Sequence, residues 1–402
     1  MSEKIEAVIV AGARTAIGTA FKGTLRDTTA MELAEVVLRE VQERSGLDVA
    51  DVDDIILAES NYGGGDIARH AAVVTGMTQV PGQAINRHCA GGLTAIGNAA
   101  AQIRSGAERA IIAGGTQSTS TSPLQQFRTP GTLDQFTERW MPPTHPDTPE
   151  APNMDMSISV GWNTAKEVGL TREEMDAWAF RSHQRAVAAI DAGAFKDEIV
   201  PVQARQADGT TVTFDTDEHP RRGTTLEKLA SLNPLHPEIE DFSITAGNAS
   251  GMNDAAAAVM VVSSELAAER GLETLAVVRA WAATATDPAR MGLAPLDVIP
   301  KVLDRAGLAI ADIDLWEINE AFTSVPVAAC KKLGIDEERV NTAGSGCSLG
   351  HPVAASGTRM VITLINELRR RGGGLAVAAM CAGGGQAGAV VIEVPAPAEG
   401  QC

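Results

Sequence analysis

Four residues combine a reactive side chain with surroundings that could aim it. Cys89 sits in Ile-Asn-Arg-His-Cys-Ala-Gly-Gly-Leu over 85–93, where an apolar segment turns and a small-residue helical pattern begins. A cysteine at a helix N-terminus has its thiolate favoured by free N–H groups and the helix dipole, the setting of a nucleophile. An inert buried cysteine is the alternative. The two glycines that follow allow close approach of a ligand. His351 lies in Gly350-His-Pro352, a tight turn that fixes an imidazole as general base or hydrogen-bond donor, or serves only as a turn. Cys381 precedes Gly383-Gly-Gly385, where exposed N–H groups could hold an oxyanion or a strand end could simply pack. Asn319 follows the apolar run 315–318 and could hold a water, the other reading being an Asx turn or cap.

These positions are far apart in the chain, so a folded scaffold must gather them. Strand patterns at 6–10, 54–57 and 110–113, the last ending at Gly114-Gly115, alternate with a helical period at 29–44, which is a βαβ arrangement. Gly-Leu-Asp-Val-Ala-Asp-Val-Asp at 46–53 returns as Gly-Leu-Ala-Ile-Ala-Asp-Ile-Asp at 307–314, each after a helical pattern and before an apolar run. Ile112-Ala-Gly-Gly-Thr-Gln117 is echoed by Met380-Cys-Ala-Gly-Gly-Gly-Gln386. A duplicated α/β half follows. Residues 120–248 differ in kind, with a Pro-, Thr- and Asp-dense stretch at 129–153, a charged helical pattern at 172–192 and a loop at 220–225 before a further helix. The expected organisation is a first half of 1–119 with 249–272, an insertion of 120–248 covering a face of the core, and a second half of 273–402.

The chain has 402 residues, 44% hydrophobic and 21% charged, enough for two or three domains around a large core and unlike a disordered chain. Thirty-three basic against 51 acidic side chains leave −18, which speaks against nucleic acid and anionic membranes, and at first sight against any polyanionic ligand. Aromatics are 3% while glycines number 39, so small and aliphatic side chains must bring backbones close together, the style of a doubly wound sheet. Cys89, Cys330, Cys347, Cys381 and Cys402 are odd in number and scattered, which points to a reducing, cytoplasmic setting. The acidic start at 1–6 is unlike a secretory or transit leader. The uncharged stretch 372–392 is split by its glycine triplet into two buried strands, not a membrane span. Metal-ligand spacing, a phosphate loop and a dinucleotide fingerprint are all missing from the sequence, so no metal site is expected.

With these motifs in order, the chain resembles the thiolase family from end to end. The resemblance rests on the Cys89 segment, Gly114-Gly-Thr-Gln-Ser-Thr-Ser120, Ser182-His-Gln-Arg-Ala186 and Gly223-Thr-Thr-Leu-Glu-Lys-Leu229. It continues through Thr245-Ala-Gly-Asn-Ala-Ser-Gly-Met-Asn-Asp254, Asn319-Glu-Ala-Phe322, Gly350-His-Pro352 and Cys381-Ala-Gly-Gly-Gly385. It implies a five-layered αβαβα fold of the α/β class, two similar halves with a loop domain inserted in the first. It also implies a ping-pong acyl transfer. Cys89 would attack the keto carbon of a 3-ketoacyl-CoA, or the thioester carbon of acetyl-CoA in the reverse sense, with His351 helping to generate its thiolate. Cys381 would protonate the departing acetyl-CoA carbanion, or remove the methyl proton in synthesis. His351 with a water held by Asn319 would form one oxyanion site, and the N–H groups of Cys89 and Gly383 the other. CoA would be a cosubstrate, with no cofactor tightly bound. The resemblance places Ser250 on its pantetheine, Arg221 or Arg222 near its nucleotide with Lys228 behind them, and Met291 at the substrate site. The implied assembly is a homodimer or homotetramer.

The sequence also departs from the family pattern. Gly-Gly-Ala-Ile before the catalytic histidine stands here as Gly344-Ser-Gly-Cys-Ser348, and the glycine after His-Pro is Ala354. His-Met-Gly is replaced by Met156-Ser157, the Phe after Asn233-Pro234 is His236, and 127–155 is unlike the usual tetramerisation loop. Acyl chain length, direction and dimer against tetramer stay open. A noncatalytic CoA or lipid carrier on the same fold is the alternative; the joint presence of Cys89, Asn319, His351 and Cys381 argues against it. A decarboxylating ketosynthase would carry a second histidine in place of Asn319.

Overall fold

A computed structural model of the chain describes residues 5–60, 62, 65–138 and 143–396; most of the acidic start and Cys402 lie outside them. β1 (Ala7–Thr15), β2 (Asp54–Ala58), β3 (Gly82–Ile85) and β4 (Ala110–Ser118) alternate with α1 (Ala30–Ser45), α2 (Ile67–Val74) and α3 (Gly91–Ser105). Thr29 and Glu32 form a capping box at the start of α1, and Gly46 at φ 67° ends it, so its terminal backbone groups are satisfied locally. β4 runs on through Gly114 and Gly115, which the sequence reading takes for its end. A Cβ on Gly114 would lie 2.3 Å from the Ala257 carbonyl oxygen, and one on Gly115 2.0 Å from that of Ala354. The pair is a close-packing device inside a strand.

After the insertion, whose long helix is α4 (Arg172–Asp191) and whose β5 (Ile199–Val200) is a two-residue strand, β6 (Asn253–Ser263) completes the first sheet. The second half contains β7 (Ala276–Ala285), α5 (Pro295–Ala306), β8 (Leu315–Ile318), α6 (Ser324–Leu333), α7 (Ser356–Arg371), β9 (Gly374–Ala382) and β10 (Gln386–Val394). The strand order is β8-β9-β10-β7-β1-β6-β4-β2-β3. Numbered within each half, both halves run third, second, fourth, fifth, first, except that the third strand of the second half is reduced to one parallel bridge, Trp316 to Val340. The sheets meet at β1 and β7, where Val8 pairs Val277 and Ile9 pairs Ala276. The repeated octapeptides fold alike: a glycine at φ 67° or 70°, a 3-10 turn at Val49–Asp51 or Ile310–Asp312, then β2 or β8.

Hydrophobic patterning sets the layers. α1 and α2 bury Leu33, Val37, Leu38 and Ala71 on the outer face of the first sheet, and α5 and α6 bury Val298, Val302 and Val325 on the outer face of the second. α3 and α7 lie between the sheets, with Ile96, Ile103, Met360 and Ile365 in one core that both sheets share. Five layers, αβαβα, result. The insertion does more than cover a face. β5 pairs in parallel with β1, and the buried Arg14 of β1 donates to Glu198 at 2.7 Å and to both oxygens of Asp217 at 2.8 and 2.9 Å, a charge-assisted clamp between insertion and sheet. The stretch 372–392 is β9, its turn and most of β10, and no helix among the described residues is long and apolar enough to cross a membrane.

Candidate active site

Cys89 lies in a 3-10 turn, His88–Ala90, that leads into α3. His88 has φ 45°, a region that non-glycine residues seldom enter, and its N–H donates to Asn86 Oδ1 at 2.8 Å. Gly91 and Gly92 serve helix packing. A Cβ on Gly91 would lie 2.7 Å from Ala58 Cβ, and one on Gly92 2.7 Å from Thr358 Oγ1. They let α3 press against β2 and α7, which sets Cys89 beside the first turn of α7.

Cys381 is next to last in β9, and Gly383 opens the turn to β10 against the His88 ring, where a Cβ would be 2.9 Å from Cγ. The N–H groups of Cys89 and Gly383 both act on the Cys89 sulfur. Cys381 is near enough for a charge on Cys89 to oppose one on itself. Burial pushes the Cys89 thiol up to about 11 despite the two N–H groups, and pushes Cys381 up as well. Desolvation thus outweighs the helix-terminus effect from which the sequence reading expects a favoured thiolate. Burial therefore favours the thiol form of Cys89.

His351 is held as a proton acceptor. Its N–H donates to Asn253 Oδ1 at 2.9 Å, and Gly350 at φ 107° lets the turn lie flat on Asn253, whose side chain would be 2.7 Å from a Cβ. Ser356 Oγ donates to the Pro352 carbonyl at 2.9 Å, so its oxygen takes the proton of His351 Nδ1 at 2.7 Å. That bonding assigns Nε2 as the unprotonated nitrogen. Burial, helped by Arg359, lowers the imidazole to about 4, which keeps it neutral and able to accept.

Asn319 follows β8, with its N–H on the Ala379 carbonyl at 3.0 Å. Its Nδ2 is 3.4 and 3.5 Å from the two His351 ring nitrogens, and its Oδ1 is buried without a hydrogen-bond partner among the described residues. Such an atom suits a bound water or a substrate group. Glu320, which the sequence reading does not single out, fixes this corner. Its carboxylate accepts from Trp178 Nε1, Ser182 Oγ, Asn341 Nδ2 and the Cys347 N–H at 2.6 to 3.2 Å. It ties α4 to the loop that leads to His351.

The candidate CoA residues separate into groups. Ser250 donates its N–H to Ala321 at 2.8 Å, with Ala249 bridged to Phe322 and Met252 to His351, so its loop borders the catalytic corner. His219 packs on Gly251, where a Cβ would be 2.4 Å from Cε1. Arg221 is exposed, its N–H held by His183 Nδ1 at 3.1 Å, and no carboxylate among the described residues pairs with its guanidinium. Arg222 is engaged elsewhere, in a bidentate surface pair with Asp191 at 2.6 and 2.8 Å. Lys228 Nζ donates to the Gly223 carbonyl at 2.7 Å. Met291 is buried in the apolar cluster that contains Cys381.

Comparison with known proteins gives the family. Residues 7–265 match the family model "Thiolase, N-terminal domain" and 272–394 match "Thiolase, C-terminal domain". The chain is 40% identical over 401 residues to an acetyl-CoA acetyltransferase of Pseudomonas aeruginosa, covering 96% of this chain and 99% of that protein. It is 38% identical to a 3-ketoacyl-CoA thiolase of Bacillus subtilis, covering 97% and 99%. Human mitochondrial 3-ketoacyl-CoA thiolase in complex with CoA superposes with a TM-score of 0.88 at 34% identity, covering 98% of each chain.

Proposed function

We propose, for a chain that belongs to the thiolase family, that an acyl group carried on Cys89 links its two half-reactions. The enzyme is an acyltransferase that cleaves 3-ketoacyl-CoA with free CoA to acyl-CoA and acetyl-CoA, or runs the Claisen condensation in reverse. In cleavage, the Cys89 proton passes to His351 Nε2 and the sulfur bonds to the keto carbon. The C–C bond then breaks, its electron pair leaves on the α carbon of acetyl-CoA, and the Cys381 thiol supplies the proton. The incoming CoA thiol next gives its proton to the Cys381 thiolate and its sulfur attacks the Cys89 thioester, and Cys89 leaves as a thiolate that recovers its proton from His351. His351 and a water on Asn319 would stabilise the enolate oxygen. The N–H groups of Cys89 and Gly383 would stabilise the tetrahedral oxyanion, where losing one donor typically costs on the order of 3 kcal/mol. The observation that carries this assignment is the packing of the Cys89 turn on the end of β9, with Gly383 against the His88 ring, together with Asn319 Nδ2 at 3.4 Å from the His351 ring.

CoA enters as a cosubstrate. Ser250 contacts its pantetheine, Arg221 its nucleotide end, and Met291 borders the acyl group. The pairing of Arg222 with Asp191 favours Arg221 for that role. The position of β6 between β1 and β4 supports grouping 249–272 with 1–119, leaving 120–248 as the insertion and 273–402 as the second half. Homo-oligomeric assembly and a cytoplasmic location complete the reading from the sequence. A noncatalytic carrier would have no use for two thiols and an imidazole in one corner.

Treatment with acetyl-CoA followed by mass spectrometry of the intact and digested protein tests the assignment. One acetyl group should map to Cys89, and acetoacetyl-CoA with free CoA should turn over. An adduct on Cys381 alone would reverse the two roles.

A further inference from the structure

Two of the departures from the family pattern, at 154–159 and at His236, are joined in space. Asp155 Oδ1 accepts the Ser157 N–H at 3.0 Å and its hydroxyl at 2.6 Å. It thereby caps Ser157–Trp162, a stretch wound as a π-helix, a form frequent beside functional sites. Gly161 of this turn presses between Ile244 and Phe322, where a Cβ would be 2.9 Å from each. The Val160 carbonyl abuts Gly292, next to Met291, at 2.6 Å from where its Cβ would be. Val160, Met291, Phe322 and Cys381 share one apolar cluster, with Met156 and Ile158 packed against it. The π-helix is therefore part of the apolar packing that reaches Cys381.

The other oxygen of Asp155 is held from outside. His236 Nε2 is 2.7 Å from Asp155 Oδ2, and its Nδ1 is 2.8 Å from Glu238 Oε1. The imidazole stands edge-on to Phe242 with centroids 4.9 Å apart, and Phe242 lies 5.4 Å from the Trp162 ring. A ring with a carboxylate on each nitrogen satisfies both only as the imidazolium. The bonds to Glu238 and Asp155 accordingly hold its pKa above the ordinary histidine value. Among the described residues, Asp155 from the insertion loop and Glu238 from its own loop are the charged groups that face it.

We propose that His236, acting through Asp155, is a positioning residue that fixes the π-helix and thereby sets which acyl chains fit beside Cys381. This deepens the thiolase reading above and rests on it. The sign of the pH effect follows from the raised pKa. The double pairing is complete below about 6.5, where free histidine titrates, and is lost as pH rises through the higher folded value, leaving one carboxylate without its donor.

The test measures kcat/KM for acetoacetyl-CoA and for 3-ketooctanoyl-CoA from about pH 6 to about pH 9. Wild type is compared with His236→Phe and Glu238→Gln. The ratio of the two constants cancels ionisations common to both substrates, including those of Cys89, His351 and CoA. The wild-type ratio should move with pH. The His236→Phe ratio should be flat and displaced about fivefold or more towards the longer chain, a shift smaller than a hydrophobic pocket commonly gives. Glu238→Gln should move the wild-type transition to lower pH. Equal ratios in all three proteins at every pH overturn the proposal while leaving the thiolase reading intact. Should His236→Phe fail to fold by circular dichroism, Glu238→Gln at an exposed carboxylate decides alone, and an unshifted transition counts against the proposal. Absence of turnover on both substrates by wild type, with no acyl adduct on Cys89, removes the thiolase reading and this inference with it.

Discussion

In the proposed mechanism the two cysteines do different work, and single substitutions should separate them. Cys89→Ala removes the atom that carries the acyl group, so turnover should fall by roughly 10⁴-fold or more, with no acetyl adduct by mass spectrometry. Cys381→Ala leaves that atom in place. It should still acetylate Cys89 from acetyl-CoA while C–C cleavage falls on the order of 10²–10⁴-fold, the range of a lost general acid; loss of acetylation as well would show that Cys381 is not confined to the proton. In the same mechanism His351 would set the acid limb. Its imidazole is lowered to about 4 by burial and the nearby Arg359, so the base stays neutral as pH falls through 6.5, and kcat/KM should decline only near the lowered value. An acid limb centred near 6.5 would contradict a buried His351 base. Cys89, His351, Cys381 and Asn319 stand out in the sequence because their types announce chemistry. Glu320 does not, because its partners Trp178 and Ser182 are distant in the sequence, and Ser356 does not, because its bond to His351 depends on how the turn before α7 folds.

At the scale of elements, the same residue type does opposite jobs. Gly46 and Gly307 end repeated helices at φ 67° and 70°, with no atom within 4 Å of an added Cβ. Gly307→Ala should therefore cost only the left-handed backbone penalty, about 1 kcal/mol by denaturant unfolding, with activity retained. Gly350→Ala combines φ 107° with a Cβ 2.7 Å from the Asn253 side chain that holds the His351 N–H. It should cost kcat more than stability, and an unchanged kcat would show that the turn does not position His351. The repeat was readable at 46–53 and 307–314 because glycine, 3-10 turn and strand follow one another locally in both copies. The continuation of β4 through Gly114-Gly115 was not. Those glycines read as a strand end, yet they answer to the Ala257 and Ala354 carbonyls pressing from β6 and the loop before α7. The shrunken third strand of the second half was equally hidden, since a single bridge at Val340 carries no period.

At the scale of the whole molecule, a net charge of −18 faces a polyanionic cosubstrate. The long-range field repels CoA, so attraction must be local, and its range can be set by salt. The Debye length falls from about 30 Å at 0.01 M to about 8 Å at 0.15 M, which screens the distant acidic surface far more than a cation in contact with a phosphate. Among the described residues no carboxylate pairs with the Arg221 guanidinium, whereas Arg222 and Asp191 neutralise each other at the surface. Arg221→Gln should raise KM for CoA about tenfold at 0.15 M, a typical loss for one charged hydrogen bond. It should also leave the repulsive field dominant, so that kcat/KM for CoA climbs with added salt more steeply than in wild type. Arg222→Gln should change KM by no more than about twofold, as for an exposed ion pair. If Arg222→Gln gives the larger effect, the nucleotide lies on the Asp191 side of the loop. If both variants follow the wild-type salt curve, the local attraction comes from neither arginine, and Lys228 or helix N–H groups must supply it against the field of the whole chain.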